Sequence, residues 1–231
     1  MGNGRTLAVI PAHNEAANLA AVVAGLRTHR PDLDILVVND GSTDQTAAEL
    51  ERLGARWLGW PLRRGVGCAV RAGLRYGSRL GFDVIVRLDA DGQHDPRDID
   101  ALLAPLRTRE ADAVLGSRYV QSGCRARTVK RALAAILSFV SRRGVTDATS
   151  GFWALGPRAV SLLATHHPRG YPEPELLLLL SRNGLRVAEV PVRDLERRGG
   201  RSSLTPSRLL RAAARVLLAI IIVPLRQRIS P

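Results

Sequence analysis

The chain has 231 residues, 45% hydrophobic and 24% charged, which fits one well-cored globular domain with a small appendage and excludes disorder throughout. Its formal charge of +13 comes almost wholly from arginine, Lys130 being the only lysine, and favours polyanionic partners such as nucleic acid, an anionic membrane or phosphorylated substrates. Aromatic residues make up 4%, which argues against a base-stacking nucleic-acid surface. Cys68 and Cys124 lie far apart without CxxC spacing, so neither a zinc site nor a disulfide framework follows.

Leu7–Ile10 reads as a buried strand closed by Pro11. Asn14 is expected to cap a helix through Arg27, with Leu19, Val22, Val23 and Leu26 on one face. Ile35–Val38 reads as a second strand. Gly41 makes the turn after it, and Ser42 or Thr43 is expected to cap a helix to about Leu53. Arg56–Leu58 reads as a short third strand. Gly65 and Gly67 precede a helix with Val70, Leu74 and Leu80 turned inward. Val84–Leu88 reads as the next strand, and Asp95-Pro96 starts a helix carrying Ile99, Leu102, Leu103 and Leu106. Ala113–Gly116 is a further strand.

Beyond Arg118 the pattern loosens. Gln121–Arg127 reads as a polar loop and Val129–Arg142 as a basic amphipathic helix. Gly151–Leu155 reads as a strand, Arg158–Leu163 and Glu173–Arg182 as helices, Val187–Val192 as a late strand, and Leu195–Ser203 as a mobile basic loop. Strands alternating with helices of this length predict an α/β fold with a mainly parallel, helix-covered sheet over residues 1–205. Residues 206–231 are expected to form a C-terminal amphipathic helix. There Val216–Val223 is continuously apolar but well short of the roughly 20 residues a spanning helix needs. Arginines flank it on both sides, so the segment reads as an interfacial helix that meets a membrane surface or a small membrane protein. No apolar signal segment precedes the first strand, so the expected location is cytoplasmic, peripheral on the inner face of the cell membrane.

The chemistry concentrates in Asp89-Ala90-Asp91-Gly92-Gln93-His94-Asp95, directly after a buried strand. Open α/β sheets bind ligands outside the carboxyl ends of their strands. Two carboxylates one residue apart suit Mg²⁺ or Mn²⁺, which take hard oxygen ligands plus substrate phosphates and water. Asp91 is the expected direct ligand, with Asp89 beside it and Gln93 offering an amide oxygen. Pro11-Ala12-His13-Asn14-Glu15 stands where a dinucleotide fold would need GxGxxG, which argues against a Rossmann dehydrogenase. Asp40, after the second strand, can accept hydrogen bonds from a base or ribose.

These blocks together resemble the family-2 glycosyltransferases of GT-A fold. The likeness is strongest to the dolichol- or polyprenyl-phosphate mannosyltransferase and glucosyltransferase group. It rests on Ile10 to Glu15, Val38 to Asp44 and Asp89 to His94. Gly116-Ser117-Arg118-Tyr119, Asp147 to Phe152 and Glu189 to Val192 with Arg201-Ser202-Ser203 agree with it. The resemblance implies a nucleotide-sugar donor, of GDP-mannose or UDP-glucose type, with Pro11, His13 and Glu15 lining the nucleotide pocket beside Val38 and Asp40. It implies that Asp89, Ala90 and Asp91 hold ribose, metal and diphosphate, with Gln93 a further metal contact. Arg118 would face a phosphate, with Arg131 and Arg201 as further candidates. The implied reaction is inverting transfer of a hexose to polyprenyl phosphate. A hydroxyl acceptor, a lipid-linked glycan or natural-product aglycone, would instead need a base, for which Glu173 and Glu175 are the candidates. Nucleic acid is not an expected partner. The family often has Tyr at the His13 position and Asp-Asp where this chain has Asn39-Asp40.

Overall fold

The computed structural model describes residues 4–120, 146–147, 149–166 and 172–196. Its strands are β1 Thr6–Ala12, β2 Asp34–Asp40, β3 Trp57–Trp60, β4 Val84–Arg87, β5 Ala113–Ser117, β6 Trp153–Leu155 and β7 Val187–Pro191. Its helices are α1 Ala16–His29, α2 Thr46–Arg52, α3 Val66–Arg79, α4 Ile99–Arg107, α5 Pro157–His166 and α6 Pro172–Arg182. The described strands form one seven-stranded sheet in the order β3-β2-β1-β4-β6-β5-β7. All neighbours run parallel except β6, which is antiparallel to both β4 and β5. The sheet is thus mainly parallel and helix-covered, with one reversed strand that the sequence reading did not orient.

Both faces of the sheet are buried over its central strands, which is why Leu7–Ile10, Leu36–Val38 and Ala113–Leu115 are continuous apolar runs. Leu7, Val9, Leu36, Val38, Ile85 and Trp153 face α3, α5 and α6. Their chain neighbours Ala8, Ile10, Val37, Val86 and Phe152 face α1, α2 and α4. Each fully buried Leu, Ile or Val contributes about 1.5–3 kcal/mol relative to exposure. The α3 helix approaches the sheet closely because Gly73 and Gly77 stand at the contact. A Cβ at Gly77 would fall 2.6 Å from Ile85 Cδ1, and one at Gly73 would overlap Val9.

Several local expectations change. The β1 strand runs on through Pro11, because its ladder to β4 ends at Val9↔Arg87 and a proline beyond that level forfeits no bond on that side. Asn14 does not cap α1; it adopts φ +58 and its side chain turns to Thr43. Neither Ser42 nor Thr43 caps α2: Asp44 accepts the Thr46 N–H at 3.0 Å instead. Gly67 lies inside α3 rather than before it. Leu80 is not an inner residue; α3 ends at Arg79, the chain turns at Gly81 (φ +71), and Leu80 is 48% exposed. Asp95 does cap as expected, its carboxylate accepting the Arg97 N–H at 2.9 Å to open a 3-10 turn, Pro96–Asp98, that leads into α4. The expected helix 129–142, most of the loop 195–203 and the segment 206–231 lie outside the described residues.

The Gly73→Ala variant is expected to lose about 1–3 kcal/mol, the usual penalty for overpacking. Chemical denaturation measures this directly; an unchanged midpoint would contradict the close α3–β1 contact.

Candidate active site

From β1 the chain builds β2 and β3 on one side, then returns to place β4 on the other side of β1. The order therefore reverses between β1 and β4, and such a switch point opens a crevice at the carboxyl ends of the strands. Three loops meet this edge: His13–Glu15 after β1, Gly41–Asp44 after β2, and Leu88–Asp95 after β4. The β6 strand runs the opposite way, so its leading residues Ser150–Phe152 arrive at the same edge.

The loops after β1 and β2 are laced together. The His13 Nδ1 lies 2.9 Å from the Asp40 carbonyl oxygen and donates to it. The Asn14 N–H donates to Ser42 Oγ at 3.0 Å, the Thr43 N–H to Asn14 Oδ1 at 2.8 Å, and the Glu15 N–H to Thr46 Oγ1 at 3.0 Å. Glu15 also accepts the Asn18 amide at 2.6 Å. Pro11 sits opposite Val38 in the β1–β2 register. The Val38 side chain is wholly within the core, so only its backbone can meet a ligand; the same holds for Ala90. Asp40 is committed to its own fold. Its carboxylate accepts Trp60 Nε1–H at 3.0 Å and the N–H groups of Arg64 and Gly65 at 2.7 and 2.8 Å. A donor base would reach it only beside or in place of these donors.

The loop after β4 brings Asp89, Asp91 and Gln93 together. Asp91 accepts the Gln93 N–H at 3.1 Å, a turn that keeps the two residues side by side. The Asp89 side chain is 37% exposed, and Arg87, only 3% exposed inside β4, approaches it to 3.6 Å. That buried cation lowers the repulsion between the paired acids. Gly151 packs against the Asp89 carboxylate so closely that a Cβ there would stand 2.5 Å from Oδ2. His94 lies underneath, stacked on Phe152 and accepting the Asp89 N–H. Burial pushes the His94 ring below its ordinary pKa although Asp89 and Asp91 pull it upward.

Arg118, just past β5, is held rather than loose. Its Nε and Nη2 donate to Asp147 at 2.7 and 3.1 Å, and Nη2 also reaches Thr149 Oγ1 at 3.2 Å. Asp147 is 1% exposed. Burial raises its carboxyl pKa, but the hydrogen bonds and charge of Arg118, with help from Thr149, outweigh this and hold it below the usual carboxylate range. Glu189 on β7 secures the partner segment, accepting the N–H groups of Thr146 and Asp147 at 3.0 and 3.2 Å. Glu175 lies in the first turn of α6, half-buried, in the helix layer with α3 and α5. Arg131 and Arg201 lie outside the described residues, and nothing is described of the Glu173 side chain.

Residues 7–160 match the model of the family described as Glycosyl transferase family 2. The chain belongs to that family. This glycosyltransferase is 32% identical over 227 residues to the polyprenol monophosphomannose synthase of Mycolicibacterium smegmatis, covering 92% of this chain and 85% of that one. It is 34% identical over 216 residues to the undecaprenyl-phosphate mannosyltransferase of Micrococcus luteus, covering 87% and 88%. Among solved structures, the fold resembles glucosyl-3-phosphoglycerate synthase from Mycobacterium tuberculosis in complex with Mn²⁺, UDP and glucosyl-3-phosphoglycerate. That match has TM-score 0.70 and 22% identity, and covers 96% of this chain and 80% of the other.

The glycosyltransferase edge fits a small hard cation. Among the described residues no three His, Cys, Asp or Glu side chains group as a complete metal cage. Two carboxylates and an amide oxygen are what Mg²⁺ or Mn²⁺ takes when substrate phosphates and water fill the remaining positions. Sequence reasoning passed over Arg87, Gly151, Asp147 and Glu189 as supports. Arg87 carried a signal: a charged residue inside an apolar strand, two positions before an acid.

Asp147→Asn is expected to cost about 3–5 kcal/mol by stranding the Arg118 charge. The depressed native carboxyl also gives a pH signature. The Asp147 contribution is complete above the unfolded carboxyl value of about 4 and fades as pH falls through the lower native value. The variant lacks that contribution, so its denaturation midpoint should fall less steeply on acidification than that of wild type. Equal slopes would contradict the buried pair.

Proposed function

We propose that this glycosyltransferase moves a hexose, mannose in the first instance, from a nucleoside-diphosphate sugar to polyprenyl phosphate at a membrane surface. The observation that carries the reading is the Asp89–Asp91 loop at the switch-point crevice. Two relatives named for mannosyl transfer onto polyprenyl phosphate, each spanning most of both chains, support the acceptor and the sugar. The Mn²⁺ and UDP of the structural neighbour support a divalent cation with the diphosphate. Residues 206–231 are the segment proposed to hold the protein at the bilayer.

The chain's own groups divide the work. The loops after β1 and β2 receive the nucleoside, with His13, Glu15 and the backbone of Pro11 and Val38 at its wall. Asp89, Asp91 and Gln93 hold Mg²⁺ or Mn²⁺ and orient the diphosphate. A cation bound there supplies charge neutralisation for the departing nucleoside diphosphate. Arg118, immobilised by Asp147, presents a preorganised positive charge to phosphate oxygens at the same edge. A phosphate oxygen of the acceptor attacks the anomeric carbon from the face opposite the diphosphate. The new C–O bond forms as the old one breaks, the electron pair leaves on the diphosphate, and the anomeric configuration inverts. A phosphate acceptor is already an anion and needs no general base.

The test is a transfer assay with GDP-mannose or UDP-glucose, Mn²⁺ and undecaprenyl phosphate in detergent micelles. A mannosyl-phospholipid is the expected product. Asp91→Ala should lower kcat/KM by about 10²–10³-fold, the scale of losing a main electrostatic stabiliser, while retaining the wild-type Tm within a few degrees. Transfer to hydroxyl acceptors alone would contradict the lipid-phosphate reading and point to Glu175 as a base. Full activity of Asp91→Ala would contradict the role of the loop.

A further inference from the structure

His94 lies beneath the acidic loop, and transfer as derived above assigns it no step. Its ring stacks on Phe152 with centroids 4.7 Å apart and planes 13° from parallel. Its Nδ1 accepts the backbone N–H of Asp89 at 3.0 Å. A ring nitrogen that accepts carries no proton, so the neutral ring holds its hydrogen on Nε2. The other tautomer would set N–H against N–H, as would the doubly protonated ring.

The anchor is itself fixed from outside the loop. The His94 backbone forms a bridge with Asp194, beyond β7, and the Leu195 N–H donates to the Gln93 carbonyl at 3.0 Å. Asp194 and Leu195 follow Arg193, whose N–H donates to Asp98 Oδ2 at 2.8 Å. The Asp89 carboxylate is then bounded by Arg87 on one side and by the Gly151 backbone on another. Between these neighbours the direction of the Asp89 carboxylate also depends on the tilt of its own backbone. The bond to Nδ1 removes that freedom. Groups that aim a carboxylate or histidine at a metal are worth about 10–100-fold in metal affinity when lost.

We infer that His94 is a positioning residue for the donor site: its unprotonated Nδ1 anchors the Asp89 amide and so aims the Asp89 carboxylate into the crevice. The inference rests on the reading of that loop as a cation and diphosphate site. It differs from a packing role in requiring an acceptor atom at one place, and not merely a flat apolar ring.

Two variants separate these. His94→Phe keeps a ring over Phe152 and removes the acceptor. His94→Asn removes the stack and keeps an acceptor, since its Oδ1 falls near the position of the imidazole Nδ1. The readouts are Mn²⁺ affinity in the presence of GDP, by electron paramagnetic resonance of free Mn²⁺, and Tm as a measure of folding. Mn²⁺ binding to His94→Phe should weaken about 10–100-fold, and His94→Asn should stay within about threefold of wild type even with a lower Tm. Wild-type affinity in His94→Phe, or an equal loss in both variants, would overturn the inference while leaving the cation site intact. If His94→Phe does not fold, His94→Asn decides: near-native affinity supports the anchor, and a loss beyond tenfold overturns it. Absence of Mn²⁺ binding by the wild-type protein with GDP would instead overturn the cation reading of the loop, and this inference with it.

Discussion

Two carboxylates one residue apart repel each other, and everything at the active edge depends on keeping them together at the end of a buried strand. Arg87 makes this possible from within β4. It is almost completely enclosed and stands 3.6 Å from Asp89, so that acid meets a fixed positive charge from within the sheet. A buried charge is tolerated only where it is paired. The pairing therefore works in both directions: Asp89 accounts for Arg87 in the core, and Arg87 accounts for Asp89 at the surface.

The same arrangement of a buried cation and acid recurs at the far side of the edge with roles reversed. There the acid, Asp147, is buried and the cation, Arg118, points from it towards the surface. Glu189 then holds the Asp147 segment against β7. Asp89 and Arg118 are thus each braced by one opposite charge behind them. Preorganisation of this kind matters for a reaction in which negative charge builds on a departing diphosphate, because dipoles already oriented need not reorganise. The laced loops after β1 and β2 provide the same rigidity where the nucleoside is proposed to sit.

Much of this was legible in the sequence, and the remainder was illegible for definite reasons. Short apolar runs located the central strands, which are buried on both faces, while the half-exposed edge strands β3 and β7 carried weaker patterns. Asp95-Pro96 announced its cap because the hydrogen bond is local, two residues along the chain. Asn14, Ser42 and Thr43 misled because their side chains bond across two loops rather than along one helix, a tertiary choice that local spacing does not encode. The direction of β6 was invisible, since a three-residue strand reads the same either way. At the site, Asp89, Asp91 and Gln93 came from the motif, whereas His94, Gly151 and Asp147 gained their meaning only when β6 and its preceding turn arrived beside β4 and β5. The spacing that marks Asp40 as an acceptor did not reveal that Trp60, Arg64 and Gly65 already donate to its carboxylate, because those bonds span twenty or more residues.

In the proposed reaction the acidic edge grips a nucleoside diphosphate through a divalent cation. Anomalous diffraction at the manganese absorption edge, from crystals grown with Mn²⁺ and GDP, addresses it most directly. The expected result is a manganese peak in contact with an Asp91 carboxylate oxygen and with the diphosphate, beside Asp89. A diphosphate seated in the crevice with no manganese at that loop, or manganese bound elsewhere on the protein, would contradict it.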